Sequence, residues 1–173
     1  MNTKMVLIAT LVGVVLFVSD LALSWMTMLT GPISVVIVIT VIVGIIAGRI
    51  AEAVWATFLT WLIGILLGCL LAPIIFAEFW TGDMFLPLLP LIIMMWSTRG
   101  MFIDYQFEGS IFEAIAVAAG LTIIWLVLTP VIYLASFAIA ALSGFIGKII
   151  HKKLGIGETE ILHSPVEPTE SQF

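Results

Sequence analysis

The chain has 173 residues, of which 62% are apolar and 10% charged, and its formal net charge is −5. Because soluble globular proteins carry about 25% charged residues, this composition predicts an integral membrane protein and excludes an ordinary soluble domain. Its six Lys and Arg residues are too few for a phosphate-binding surface, which excludes nucleic acid as a partner.

The first long apolar stretch, residues 5–28, is predicted to form a membrane span, because a spanning helix needs about 20 apolar residues. Asp20 lies within it. Insertion of the Val, Leu, Ile and Phe side chains is favourable by about 5 kcal/mol, which outweighs about 3 kcal/mol for a central carboxylate. A secretory signal peptide that begins at Lys4 is the alternative. The apolar run continues past a normal signal core, so a transmembrane helix is favoured.

Residues 32–73 are apolar for about twice the length of one span, so they are predicted to form the second and third spans. Arg49 and Glu52 mark a cytoplasmic turn between these spans, and residues three apart on a helix can form an ion pair. The next apolar segment, residues 84–98, is short and contains two prolines. It is predicted to be the fourth span, with a re-entrant hairpin as the alternative.

Two further spans are predicted at residues 110–128 and 130–150, with an outer turn at Thr129. Residues 99–109 are charged and aromatic, as expected of a connection at the membrane interface. Residues 154–173 contain four Glu residues and neither Lys nor Arg. This composition predicts a disordered acidic tail on the cytoplasmic side.

The predicted fold is therefore an all-α integral membrane protein. Residues 1–153 form a compact bundle of about six transmembrane helices in the plasma membrane, with the N- and C-termini in the cytoplasm. This arrangement obeys the positive-inside rule, which places Lys and Arg in cytoplasmic loops, for Lys4, Arg49, Arg99, Lys148, Lys152 and Lys153. A re-entrant fourth segment would place Arg99 and the last three lysines outside, so six spans are favoured.

Small residues recur at helical spacing on the predicted spans and define faces on which helices can approach closely. These candidate packing residues are Ala9, Gly13, Gly44, Gly48, Gly64, Gly68 and Gly147. The predicted partners are accordingly the lipid bilayer and other membrane helices, in a homo-oligomer or a larger complex.

Asp20, Ser24 and Thr27 share one face of the first predicted helix and form the candidate polar site. Ionisable residues inside a membrane are functional candidates by default, so one interpretation is an ion or proton site. The other is a hydrogen-bonded carboxyl group that fixes helix packing. The six-span arrangement places no Lys or Arg at the depth of Asp20, so an ion pair is not expected and the packing interpretation is favoured.

No catalytic constellation is recognisable, because the sequence has no HExxH, GxSxG or P-loop motif and no His or Lys at the depth of Asp20. We therefore expect neither an enzyme nor a bound cofactor or metal. The function predicted is that of a structural or accessory subunit of a membrane complex. A small transporter or channel component, proton- or cation-coupled through Asp20, is the alternative.

The predicted plan, with six helices, both ends inside and the Ala9-x-x-x-Gly13 motif on the first helix, is similar to the substrate-binding subunits of energy-coupling-factor vitamin transporters. This resemblance would imply a substrate-binding permease subunit. Those subunits build a substrate lid from longer outer loops, whereas the outer connections predicted here are a few residues long. No site residue is therefore carried over to this chain.

Overall fold

A computed structural model describes residues 2–75, 88–99 and 111–155, and for residues 111–118 it describes only the backbone. This part of the chain is helical and contains no strand. Its helices are α1 (Thr3–Leu23), α2 (Trp25–Thr30), α3 (Val35–Ala47), α4 (Ile50–Ile75), α5 (Leu89–Ser97) and α6 (Ile111–Lys153). Apart from Arg99, the predicted interfacial connection lies outside the described residues, and so does most of the predicted tail.

Three of these helices are long and apolar enough to cross a membrane. They are α1, α4 and the Ala119–Lys153 part of α6, and α3 is a shorter apolar helix. The predicted all-α class is therefore confirmed for the described residues, three of whose helices have the length and composition of a membrane span.

The first predicted span is interrupted at Ser24, so the expectation of one helix over residues 5–28 is wrong. Ser24 has a left-handed backbone with φ of 57°, and its N–H donates to the carbonyl of Asp20 at 2.8 Å. The chain then restarts as the six-residue helix α2. Hydropathy gives no signal for this break, because the apolar pattern continues on both sides of it.

Helices α1 and α4 run parallel and pack closely through small residues. A Cβ atom on Gly13 would lie 2.6 Å from the hydroxyl oxygen of Thr60, and one on Gly64 would lie 2.8 Å from the ring of Phe17. Contacts this short require glycine at both positions. The two backbones approach because the sequence places these glycines on one face of each helix.

Helix α6 packs most extensively on α3, and these two helices are also parallel. Gly44 faces Ser143, and Gly48, with φ of +72°, faces the ring of His151. These contacts place the start of α1, the α3–α4 turn and the end of α6 at one end of the bundle, named here the Asn2 end. The opposite end, with the end of α1, α2 and α5, is named the Ser24 end.

The predicted turn at Thr129 is wrong, because α6 continues through Thr129 and Pro130 to Lys153. Proline lacks the N–H that would bond the carbonyl of Leu126, and normally kinks or ends a helix. The Thr129 hydroxyl donates to the carbonyl of Trp125 at 2.9 Å, one residue before the freed carbonyl. Membrane helices tolerate proline where side-chain hydroxyls and neighbouring helices help to satisfy the backbone. The fifth and sixth predicted spans are thus one helix.

Helix α5 has nine residues and a length of about 14 Å, which is half of what a span requires. The expectation of a spanning helix over residues 84–98 is wrong for its described part, and the length fits the re-entrant alternative. Ile93 packs against Gly68 of α4 and lies beside Leu21 of α1. Helix α5 therefore lies against the Ser24 half of the bundle.

These two corrections change the distribution of charge between the ends of the bundle. Five cations still lie at the Asn2 end, on the helices that begin or finish there: Lys4, Arg49, Lys148, Lys152 and Lys153. Arg99 follows α5 and lies at the Ser24 end, where it contacts Asp20 and Ser24. The expectation that all six cations share one end is therefore wrong for Arg99.

The middle of the core is an aromatic cluster that joins three helices. The rings of Phe17 and Trp61 meet edge to face at 5.5 Å, and those of Trp61 and Tyr133 at 5.2 Å. The Trp61 indole N–H donates to the hydroxyl of Ser136 at 3.0 Å. Edge-to-face pairs add about 0.5–1.5 kcal/mol each beyond the area that they bury, so this cluster fixes α1, α4 and α6 relative to one another.

Candidate functional site

Asp20 lies in the last turn of α1, with 2% of its side chain exposed. Both carboxylate oxygens accept hydrogen bonds from the protein. The backbone N–H of Thr27 donates to Oδ1 at 2.8 Å, and the Thr27 hydroxyl donates to Oδ2 at 2.8 Å. Arg99 Nη2 lies 3.3 Å from Oδ2. The carboxylate is therefore bonded within the chain on both of its oxygens.

The break at Ser24 explains how Asp20 reaches Thr27. Thr27 is the third residue of α2, and the first N–H groups of a helix have no partner within that helix. The left-handed Ser24 turns the chain so that the Thr27 N–H points back towards α1, while the Ser24 side chain makes no capping bond. Asp20 thus caps α2 from the preceding helix, and its negative charge is favourable at a helix N-terminus.

Arg99 supplies the cation of this site, with 9% of its side chain exposed. Nη2 donates to the Asp20 carbonyl at 3.0 Å and to the Ser24 hydroxyl at 2.9 Å, and Nη1 donates to the Trp96 carbonyl at 2.6 Å. The guanidinium also lies 4.9 Å from the centre of the Trp96 ring, a cation–π distance. The sequence-based expectation that Asp20 has no cationic partner is therefore wrong.

A buried ion pair is stabilising only when the remaining donors and acceptors are also satisfied, because both charges lose their hydration. At this site the carbonyls of Asp20 and Trp96 and the Ser24 hydroxyl provide the additional acceptors for Arg99. The pair is neutral as a whole and links the end of α1 to α2 and to the end of α5. These contacts are typical of a structural ion pair.

The residues before Arg99 extend this polar region to α6. The hydroxyls of Ser97 and Tyr133 are 2.8 Å apart, and those of Thr98 and Thr129 are 3.1 Å apart. The Trp125 indole N–H donates to the Thr98 hydroxyl at 2.7 Å. The end of α5 is therefore held on one side by Asp20 and on the other by hydroxyl groups of α6.

A second buried carboxylate, Glu52, lies at the Asn2 end in the first turn of α4. Its side chain is 3% exposed, and Arg49 Nη1 lies 3.7 Å from Oε1, so the predicted pair is confirmed. The backbone N–H of Asn2 also donates to Oε1, a contact across 50 residues that spacing does not reveal. The Arg49 side chain is 67% exposed, so water screens this pair far more than the Asp20–Arg99 pair.

The structure places the seven predicted packing residues in helix–helix contacts, where all of them are buried. A Cβ atom on any of the six glycines among them would come within 3 Å of a neighbouring atom. The seven are Ala9, Gly13, Gly44, Gly48, Gly64, Gly68 and Gly147. Of the three candidate polar residues, Asp20 and Thr27 are bonded to each other, and Ser24 contacts Arg99.

Between the two carboxylates, α4 buries the hydroxyls of Thr57 and Thr60. Neither hydroxyl has a hydrogen-bond partner in the described part of the chain. Among the same residues, no group of three or more His, Cys, Asp or Glu side chains is placed to hold a metal ion.

No family model, no curated protein and no solved structure matches the chain. The resemblance in plan to the vitamin-transporter subunits depends on six separate spans, whereas residues 111–153 form one helix. Function is therefore inferred from the contacts of the described residues.

Proposed function

We propose that the chain is a multi-pass protein of the plasma membrane that acts as a non-catalytic structural or accessory subunit of a membrane complex. The observation that supports this role is the bonding of Asp20. Thr27 donates to both carboxylate oxygens and Arg99 contacts Oδ2, so the bonds of this intramembrane acid hold helices together.

Four helices run between the Asn2 end and the Ser24 end, namely α1, α3, α4 and α6. We therefore propose four crossings, with α5 re-entrant from the Ser24 end. The positive-inside rule then assigns the Asn2 end, which has five of the six cations, to the cytoplasm. Both Asn2 and Lys153 lie on the cytoplasmic side in this proposal.

The length and the exposed surface of α6 support the proposal that a helix of another subunit packs against it. With 43 residues it is about 65 Å long, whereas the hydrocarbon core of a bilayer is about 30 Å thick. Its Ile123, Ile124 and Val127 side chains are exposed, and Thr98, which follows α5, contacts the neighbouring Trp125 and Thr129. An apolar helix of about twice the length of one span, with exposed apolar side chains, is suited to pack against another subunit.

Purification of the full chain in a mild detergent, followed by mass spectrometry of the co-migrating proteins, tests this proposal. We expect another membrane protein, or further copies of this chain, to co-migrate in a fixed ratio. Ile124→Ser should weaken that association, whereas Leu142→Ser, at an exposed position beside the main bundle, should not. A clean and stable monomer would contradict the subunit role.

Transport is the second candidate, and the buried hydroxyls of Thr57 and Thr60 between Asp20 and Glu52 favour it. A pH-gradient assay in vesicles that contain the purified chain separates the two functions. The structural role predicts that the gradient decays as slowly as in protein-free vesicles. A faster decay that Asp20→Asn abolishes would instead establish proton transport.

A further inference from the structure

Exposed cations form a cluster at the Asn2 end, between the α3–α4 turn and the last turns of α6. Arg49 lies in the turn, while Lys148 and Lys152 lie on α6, and all three side chains are exposed. The Asp20–Arg99 pair at the Ser24 end does not involve them. The cluster therefore needs an explanation of its own.

Glycine contacts bring these cations together. Gly48 packs on the ring of His151, and a Cβ atom on Gly144 would lie 2.9 Å from the carbonyl oxygen of Arg49. Residues four apart on a helix lie on one face, so Lys148 lies one turn beyond this contact and Lys152 two turns beyond it. The turn that carries Arg49 thus lies beside the two lysines.

The charge of this cluster is only partly neutralised by the residues that the structure describes. Glu52 lies 3.7 Å from one nitrogen of Arg49, yet the Arg49 side chain remains 67% exposed. Neither lysine makes an ion pair in the described part of the chain. Among the described residues the cluster is therefore positively charged, and its three cationic side chains are exposed.

Apolar side chains adjoin the cations on the side away from the Asn2 end. Phe145 and Ile149 are exposed, and helical spacing places them in line with Lys152, which follows them by seven and three residues respectively. Ile50 is exposed next to Arg49. A ligand that fits this surface has an anionic end at the cations and a hydrocarbon part along α6.

We propose that this cluster binds an anionic phospholipid of the adjacent membrane leaflet. Arg49, Lys148 and Lys152 contact its phosphate group, and its acyl chain lies along Phe145 and Ile149. Free phosphate has the same charge but no hydrocarbon chain, so the apolar surface favours the lipid. The proposal goes beyond the structural role, and it holds whether or not the chain belongs to a complex.

Native mass spectrometry of the full chain in mild detergent, titrated with dioleoyl phosphatidylglycerol, tests the proposal. We expect phosphatidylglycerol to bind at least tenfold more tightly than dioleoyl phosphatidylcholine. Each basic residue close to an anionic lipid contributes about a fivefold gain in affinity. Lys152→Gln and Lys148→Gln should therefore each weaken binding about fivefold, and the double variant about 25-fold.

Three controls make the test specific to this cluster. Lys152→Arg, which keeps the charge, should retain the affinity. Lys4→Gln, which removes a charge from α1 at the same end, should change it less than twofold. Inorganic phosphate at the lipid concentration should not compete.

Equal losses for Lys4→Gln and Lys152→Gln would overturn the proposal in favour of a diffuse surface charge. Equal affinity for the two lipids would overturn it as well, and so would competition by inorganic phosphate. Lys148 and Lys152 are exposed and make no ion pair with the described residues. Thermal unfolding of each variant should therefore match that of the unaltered chain, which excludes misfolding as the cause of lost binding.

Discussion

The two ends of the bundle are closed by different interactions. At the Ser24 end, Asp20 and Arg99 are both buried and are bonded to α2 and α5. At the Asn2 end, Glu52 is equally buried, but its partner Arg49 is largely exposed. There the helices are held by close glycine contacts, such as Gly147 of α6 against the carbonyl of Ile45.

This difference shows that burial of a carboxylate does not by itself define its role. The partner of Asp20 has exchanged water for protein acceptors, so loss of that partner would leave a charge in a dry environment. The partner of Glu52 remains in water, where an ion pair contributes little. The free energy of unfolding should therefore depend on the Asp20–Arg99 ion pair at the Ser24 end and on close helix packing at the Asn2 end.

The largest loss of stability is expected from Arg99→Met, because this substitution leaves Asp20 buried without its cation. Breaking a buried ion pair on one side costs about 3–5 kcal/mol. Unfolding in mixed detergent micelles, followed by circular dichroism, measures this loss. Combining Arg99→Met with Asp20→Leu should destabilise the chain less than Arg99→Met alone, because the unpaired charge is then absent. Strictly additive losses would show that the two residues are not coupled.

An intermediate loss of stability is expected from Gly147→Ala at the Asn2 end. The new Cβ atom would lie 2.5 Å from the Ile45 carbonyl oxygen, and overpacking of this kind costs about 1–3 kcal/mol. Gly120→Ala on the same helix is the matched control, because nothing lies within 4 Å of its Cβ position. It should be neutral, or stabilising by up to about 1 kcal/mol through helix propensity. Similar unfolding curves for the two variants would contradict the close contact.

The smallest loss of stability is expected from Arg49→Gln. An exposed arginine in an ion pair contributes about 0–1 kcal/mol, so unfolding in the same micelles should change by no more than that. The loss should also decrease at high salt, because water and ions screen the pair. If Arg49→Gln destabilised the chain as much as Arg99→Met, the proposed contrast between the two ends would be wrong.

Part of the candidate site could be predicted from the sequence. Asp20 and Thr27 were identified by their helical spacing, although they lie on two helices and bond across the break at Ser24. Arg99 was missed, because the six-span topology placed it at the end of the bundle away from Asp20. Seventy-nine residues separate the two partners, and no local pattern encodes a contact at that separation.

The sequence by itself determined the helical content, the presence of helices long and apolar enough to cross a membrane, the glycines at helix contacts and the Arg49–Glu52 pair. These follow from local quantities, namely hydropathy over about 20 residues and the 3.6-residue period of a helix. Only the tertiary structure decided that α6 continues through Pro130, that α5 is too short to span and that Arg99 meets Asp20. These outcomes involve contacts between residues far apart in the chain, such as the hydroxyls of Thr98 and Thr129 and the Arg99–Asp20 pair, which hydropathy and helical periodicity do not encode.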